Sequence, residues 1–163
     1  MQGAAVFGHT EVGELLIANG ADVNAKIEGM TPLDIAIELK HTTTADLLRK
    51  HGGKTAKELR TGMTLLHIAA QEGKMETIAL LIAKGANVNA MSAYRSTPRD
   101  WAIIRNRHEI VELLIANGAE VNAKDAFGKT PLDSAIEKNH TELADLLRKH
   151  GGKTGEELKA EGK

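Results

Sequence analysis

Thr31, Thr64, Thr97 and Thr130 open the phrases TPLDIA, TLLHIA, TPRDWA and TPLDSA, so the same words return every 33 residues. Each phrase leads to a second apolar segment, as in EVGELLIANGADVNA, ETIALLIAKGANVNA and EIVELLIANGAEVNA. A chain with a fixed period of this length builds one small element per period. Such an element cannot bury its own apolar face, so stability has to come from stacking neighbours.

Within one period the residues spell two helices. Thr31 can cap a helix with its hydroxyl, Pro32 suits the first helical position because its missing N–H would be unpaired there, and Asp34 stands where a capping box wants an acid. Thr97, Pro98 and Asp100, and Thr130, Pro131 and Asp133, repeat the arrangement. Thr64 is followed by Leu65 and His67, so its helix is expected to start least well. In the second helix, Val12, Leu15 and Leu16, or Ile110, Leu113 and Leu114, fall at i, i+3 and i+4 and make one apolar stripe. Gly20, Gly85 and Gly118 then stand where a left-handed residue closes a helix. The run HTTTADLL puts Thr44 at a place that is usually apolar, which predicts a locally soft repeat.

The period and the words T-P-L-D/H-x-A, L-L and G-A-D-V-N-A resemble the ankyrin repeat over nearly the whole chain. The resemblance implies an all-α repeat solenoid of stacked helix pairs with short β-hairpin fingers. We expect a single solenoid over 1–163, with a truncated first repeat at 1–26, repeats at 27–60, 61–91, 92–124 and 125–154, and a tail at 155–163. The length of 163 residues, 42% of them hydrophobic, fits one domain, and the 2% aromatic content with abundant Leu, Ile, Ala, Glu and Lys favours helix.

The stretch RKHGGKT occurs at Arg49–Thr55 and again at Arg148–Thr154, ending like a phosphate-binding loop. Such a loop needs an earlier glycine and a strand before it, whereas Leu48 and Leu147 hold the glycine place and a helix precedes each copy. The carbonyl end of that helix would repel a phosphate, and Arg49, Lys50 and His51 suit it instead. Both copies therefore read as helix ends. Thr55 with Glu58, and Thr154 with Glu157, form T-x-x-E boxes that predict a short helical turn at 55–60 in place of a finger, with the stack continuing past it. Duplication of a two-repeat block carrying its terminal sequence would account for the internal copy.

No catalytic constellation is found, and no cofactor or metal is expected. Histidines 9, 41 and 140 share one place in their repeats, but stacked helices lie about 8–10 Å apart while zinc–nitrogen bonds are about 2 Å, so the row cannot converge on one ion. The acids Asp34, Asp100 and Asp133 are accounted for by capping. Cysteine is absent, which removes thiolate chemistry and disulfides. The net charge of −1 provides no whole-molecule field for nucleic acid or membrane, although AYRSTPRDWAIIRNR is locally basic through Arg95, Arg99, Arg105 and Arg107 beside Tyr94 and Trp101. With neither a signal-like start nor a long apolar run, the expected location is the cytoplasm.

The resemblance further implies a non-enzymatic protein-interaction module that holds its partner on a concave face of finger tips and first-helix residues. Carried onto this sequence, that face includes Phe7, Ile27, Met30, Leu39, Met63, Met91, Tyr94, Ile104, Arg105, Phe127, Lys129 and Lys138. The candidates for partner contact are Leu39, Tyr94, Ile104 and Arg105, followed by Met30, Met63, Met91 and Phe127. Apolar residues at such places suggest a binding surface. The alternatives are a structural or engineered repeat scaffold with no dedicated partner and, less favoured, a nucleic-acid binder using the basic fourth repeat. The first repeat starts inside a helix, so its open end is a further candidate for self-association.

Overall fold

A computed structural model describes residues 1–162. Among these the backbone forms twelve helices, with no strand beyond one isolated bridge. The chain forms two compact units, Met1–Thr61 and Gly62–Lys163.

The first unit holds two repeats, α1 (Gln2–Val6) with α2 (Thr10–Ala18) and α3 (Pro32–Glu38) with α4 (Thr42–Lys50), and ends in the short α5 (Ala56–Thr61). Helix α1 lies against α3 and α2 against α4. Their shared core is Ala5, Leu33, Ala36 and Leu48, each fully buried. A buried leucine of this kind contributes about 1.5–3 kcal/mol. Helix α3 starts as its residues dictate, with Thr31 N–H donating to Asp34 Oδ2 (2.8 Å) and Asp34 N–H to Thr31 Oγ1 (3.2 Å). Thr44 is buried without being apolar because its hydroxyl lies 3.1 Å from that of Thr10 on the neighbouring helix. A hydrogen bond thus replaces the missing packing.

The second unit holds three repeats and a terminal helix: α6 (Leu65–Glu72) with α7 (Met75–Ala83), α8 (Pro98–Ile104) with α9 (His108–Ala116), α10 (Pro131–Glu137) with α11 (Thr141–Lys149), and α12 (Gly155–Ala160). First helices stack in the order α6, α8, α10, and α9 packs on α11. One core runs through Leu66, Ala70, Ile78, Ile103, Val111, Leu114, Leu132 and Leu147.

Helix α6 lacks the side-chain cap bond that Thr31, Thr97 and Thr130 accept, in line with its missing proline and acid, yet its start is not left uncapped. His67 substitutes for the acid: Thr64 N–H donates to His67 Nδ1 (3.0 Å), while Nε2 lies 2.9 Å from the Ser96 carbonyl of the next repeat. An accepting Nδ1 places the ring proton on Nε2, where it is donated to Ser96. Burial holds the His67 pKa below the ordinary histidine value, despite the opposing hydrogen bond to Ser96.

The asparagines of the G-A-x-V-N words lock repeats together with one donor and one acceptor each. Asn24 Nδ2 donates to Gly52 O (3.1 Å) and its Oδ1 accepts from Lys54 N–H (2.7 Å). Asn122 treats Gly151 and Lys153 identically, at 3.0 and 2.8 Å. Only an amide side chain offers both functions at this reach.

Both copies of RKHGGKT are helix ends. At each, the second glycine N–H bonds back to a leucine carbonyl, Leu48 or Leu147, at 2.7 Å. A Cβ at Gly53 or Gly152 would meet that same carbonyl oxygen at 2.7 Å, so the approach requires glycine. The capping boxes expected from T-x-x-E form at both α5 and α12, and the acid also receives the arginine: Arg49 Nη1 donates to both oxygens of Glu58 (2.9 and 2.7 Å), as Arg148 does to Glu157. The carboxylate of the preceding first helix then accepts the cap helix's leading N–H, Asp34 from Ala56 (2.8 Å) and Asp133 from Gly155 (2.9 Å).

The fingers close as tight turns, with no strand ladder among the described residues. Ile27 and Met30 exchange two backbone bonds of 3.0 Å, while the fingers of the second unit pair Ser92 N–H to Ser96 O (3.0 Å) with Arg95 N–H to Ser92 O (3.0 Å), and Asp125 N–H to Lys129 O (2.9 Å) with Gly128 N–H to Asp125 O (3.1 Å). Arms this short have no room for more rungs.

Candidate functional site

The second unit carries most of the expected contact residues, and most of them face solvent. Met91 and Tyr94 stand in one finger and are 53% and 59% exposed; Phe127, in the next, is 86% exposed. Ile104 ends α8 at 38% exposure, and Arg105, its C-cap, is exposed. Met63 is different. It is only 4% exposed, so a partner could not reach it without rearrangement, and it leaves the candidate face.

In the first unit, Leu39 is the exposed C-cap of α3, and Met30 is half-buried at the finger's base, its backbone tied to the exposed Ile27. In α1 and α2 and the turn between them, Phe7, Val12 and Leu15 are exposed, with the Phe7 ring stacked 5.8 Å from that of His9.

Two side chains absent from the expected set belong beside these. Ile37 and Ile136 occupy one repeat position, that of Ala70 and Ile103, which are fully buried. Where a full helix pair follows, as α10 follows α8, the position is covered. Beside the short helices α5 and α12 the isoleucine is half exposed. Each lines a shallow groove between first helix and cap helix, of about 380 Å³ beside Ile37 and about 390 Å³ beside Ile136. The groove in the first unit brings together Met30, Ile37, Glu38 and Thr55; that in the second, Lys129, Ile136, Glu137 and Thr154. Both are aliphatic residues just before a helix end, a pattern that a single repeat's sequence does not distinguish from core.

The electrostatics of the two grooves differ at two positions: Lys129 stands where the first unit has Met30, and Glu156 of the second lining stands where the first unit has the exposed Lys57, which does not line its groove. Lys129 Nζ donates to Glu137 Oε2 at 2.6 Å, a bond that raises the lysine pKa and lowers that of the glutamate. Met30 takes the lysine's place in the first unit, and Glu38 has no ion pair among the described residues.

The basic repeat is less basic at its surface than in its sequence. Arg99 holds a core place, where Leu33, Leu66 and Leu132 stand in the other repeats, and is 1% exposed. Its Nη2 donates to Asp100 Oδ1 (2.9 Å), and its buried Nη1 has no hydrogen-bond partner. Arg99 is therefore not offered to a phosphate. No group of three or more His, Cys, Asp or Glu side chains suited to a metal ion occurs among the described residues, and among them no helix is long and apolar enough to cross a membrane.

The family model for ankyrin repeats matches residues 1–58 and 50–125. The chain belongs to the ankyrin-repeat family. It is 34% identical over 101 residues to alpha-latrocrustotoxin-Lt1a of Latrodectus tredecimguttatus, 61% of this chain and 7% of the toxin. It is 30% identical over 86 residues to the B-cell lymphoma 3 protein homolog of Mus musculus, 52% of this chain and 19% of that protein. With Rabankyrin-5 of Homo sapiens it shares 29% identity over 101 residues, 58% of this chain and 9% of the relative. The chain thus spans less than a fifth of the length of each of these relatives. Ankyrin repeats serve generally as protein-interaction modules and are typically non-enzymatic.

Proposed function

We propose that this chain is a protein-interaction module whose finger and first-helix residues hold a protein partner, with Leu39, Tyr94, Ile104 and Arg105 as the leading contacts and Met30, Met91 and Phe127 beside them. The observation that carries the reading is the exposure of large apolar side chains at these places, Tyr94 and Phe127 above all. Isolated apolar residues are common on any surface, but their recurrence at finger tips and first-helix ends favours a contact face. Tyrosine and methionine add adaptable, amphipathic area. Rim arginine at Arg105 would guide encounter more than affinity.

A photocrosslinking amino acid at position 39 or 94 tests this directly, with one at Glu112, exposed on the second helix α9, as control. Protein adducts at 39 and 94 that are absent at 112 support the face. Equal labelling at all three positions, or adducts at 112 alone, would remove it. Adducts that contain nucleic acid, in a yield that falls steeply when salt is present during irradiation, would favour the phosphate-binding alternative.

A further inference from the structure

The two grooves formed by the cap helices are copies of one site, and one copy shows how the other would be filled. Register from the capping threonine aligns Met30 with Lys129, Ile37 with Ile136, Glu38 with Glu137 and Thr55 with Thr154. In the second unit the Lys129 ammonium lies on Glu137 at the edge of the half-exposed Ile136. In the first unit the isoleucine is as exposed, 51% against 50%, and the acid is retained, but methionine replaces the cation. Groove lining there carries Asp34 and Glu38 and no basic residue. Asp34 is half-buried with Oδ2 committed to Thr31 and to the Ala56 N–H, whereas Glu38 is exposed and has no ion pair among the described residues, so Glu38 is the carboxylate that faces an incoming cation as Glu137 faces Lys129.

From this pairing we infer that the first-unit groove takes a peptide segment carrying an aliphatic side chain next to a lysine or arginine. The aliphatic group lies on Ile37 and Met30, and the cation meets Glu38 as Lys129 meets Glu137. The second groove is closed to such a segment by its own lysine. This rests on the interaction-module reading and assigns the chemistry of one part of that face. Exposed ion pairs are weak and one aliphatic contact is small, so a short probe should bind only at about millimolar concentration.

The probe is the acetylated, amidated tetrapeptide Gly-Leu-Lys-Gly, titrated into the full chain while amide shifts are followed by NMR. The expected result is saturable movement of Gly29, Ile37, Glu38 and Ala56 and none at Ile136 and Glu137. Replacing the probe's leucine by serine should weaken it about tenfold, and replacing its lysine by glutamate about fivefold. Met30→Lys and, separately, Glu38→Gln should each weaken binding about fivefold. Lys129→Met should bring the second groove to similar affinity, a gain that damage to the fold would not give. Equal binding of the glutamate probe, or a second groove still silent in Lys129→Met, would overturn the proposal. If these fail while crosslinking at 39 and 94 succeeds, only the groove assignment falls; if they succeed while that crosslinking fails, the broader face falls and the groove stands.

Discussion

Glu58→Ala is expected to destabilise the first unit by about 2–3 kcal/mol. The Glu58 side chain is 3% exposed and accepts two bonds from Arg49 and one from the Thr55 N–H. Removing one partner of a fully buried pair costs about 3–5 kcal/mol, and losing a cap about 1 kcal/mol. Arg49 is 23% exposed, so part of its charge regains water and the sum stays well below the additive value. Against the roughly 3–9 kcal/mol that a unit of this size commands, the loss is severe. With a urea slope near 1 kcal/mol per molar, the unit's midpoint should fall by about 2 M. Far-UV circular dichroism follows all helices, whereas the single tryptophan, Trp101, reports only the second unit. Glu58 and Trp101 stand in different units, so the shift is read as early loss of helix signal. Glu157→Ala, on a pair whose members are 46% and 43% exposed, should cost less and should move Trp101. A Glu58→Ala shift below about 0.5 M, or a larger one from Glu157→Ala, would refute the reasoning.

Other positions give predictions of known sign. Arg99→Leu restores the core residue of the other repeats in place of a buried charge and should stabilise the second unit by about 1–3 kcal/mol, seen as a later Trp101 transition in urea. Lys40 has φ of 59° at a turn where two other repeats have Gly8 and Gly73, so Lys40→Gly should gain about 0.5–1 kcal/mol by thermal unfolding. His67 has a folded pKa below its unfolded value near 6.5, so its contribution is full above that pH and declines as pH falls through it. His67→Gln should flatten that part of the stability profile. Glu157, held at about 2 chiefly by its hydrogen bond from Arg148, contributes above the ordinary glutamate range and loses that contribution as pH falls from about 4.5 toward 2.

Helix positions were legible in the sequence because each start is local: a threonine, a proline and an acid three residues on determine α3, α8 and α10 without help from the rest of the chain. The cap helices were legible for the same reason, through Thr55 with Glu58 and Thr154 with Glu157. What escaped depends on neighbours. His67 starts α6 with a nitrogen that the rule for acids does not count, and its proton is spoken for by Ser96 of the following repeat. Met63 reads as a finger residue but is buried, and Arg99 reads as a surface cation but fills a leucine's place. The exposure of Ile37 and Ile136 follows from what covers the last repeat of each unit, which no single repeat's sequence contains.

The most direct test of the interaction-module claim is capture from lysate of the source organism, read by mass spectrometry, with the native chain and a Leu39→Ser, Tyr94→Ala, Ile104→Ser variant of unchanged circular dichroism. A protein held by the native chain and lost by the variant is the predicted result. Identical capture by both, or capture by neither, would contradict the account.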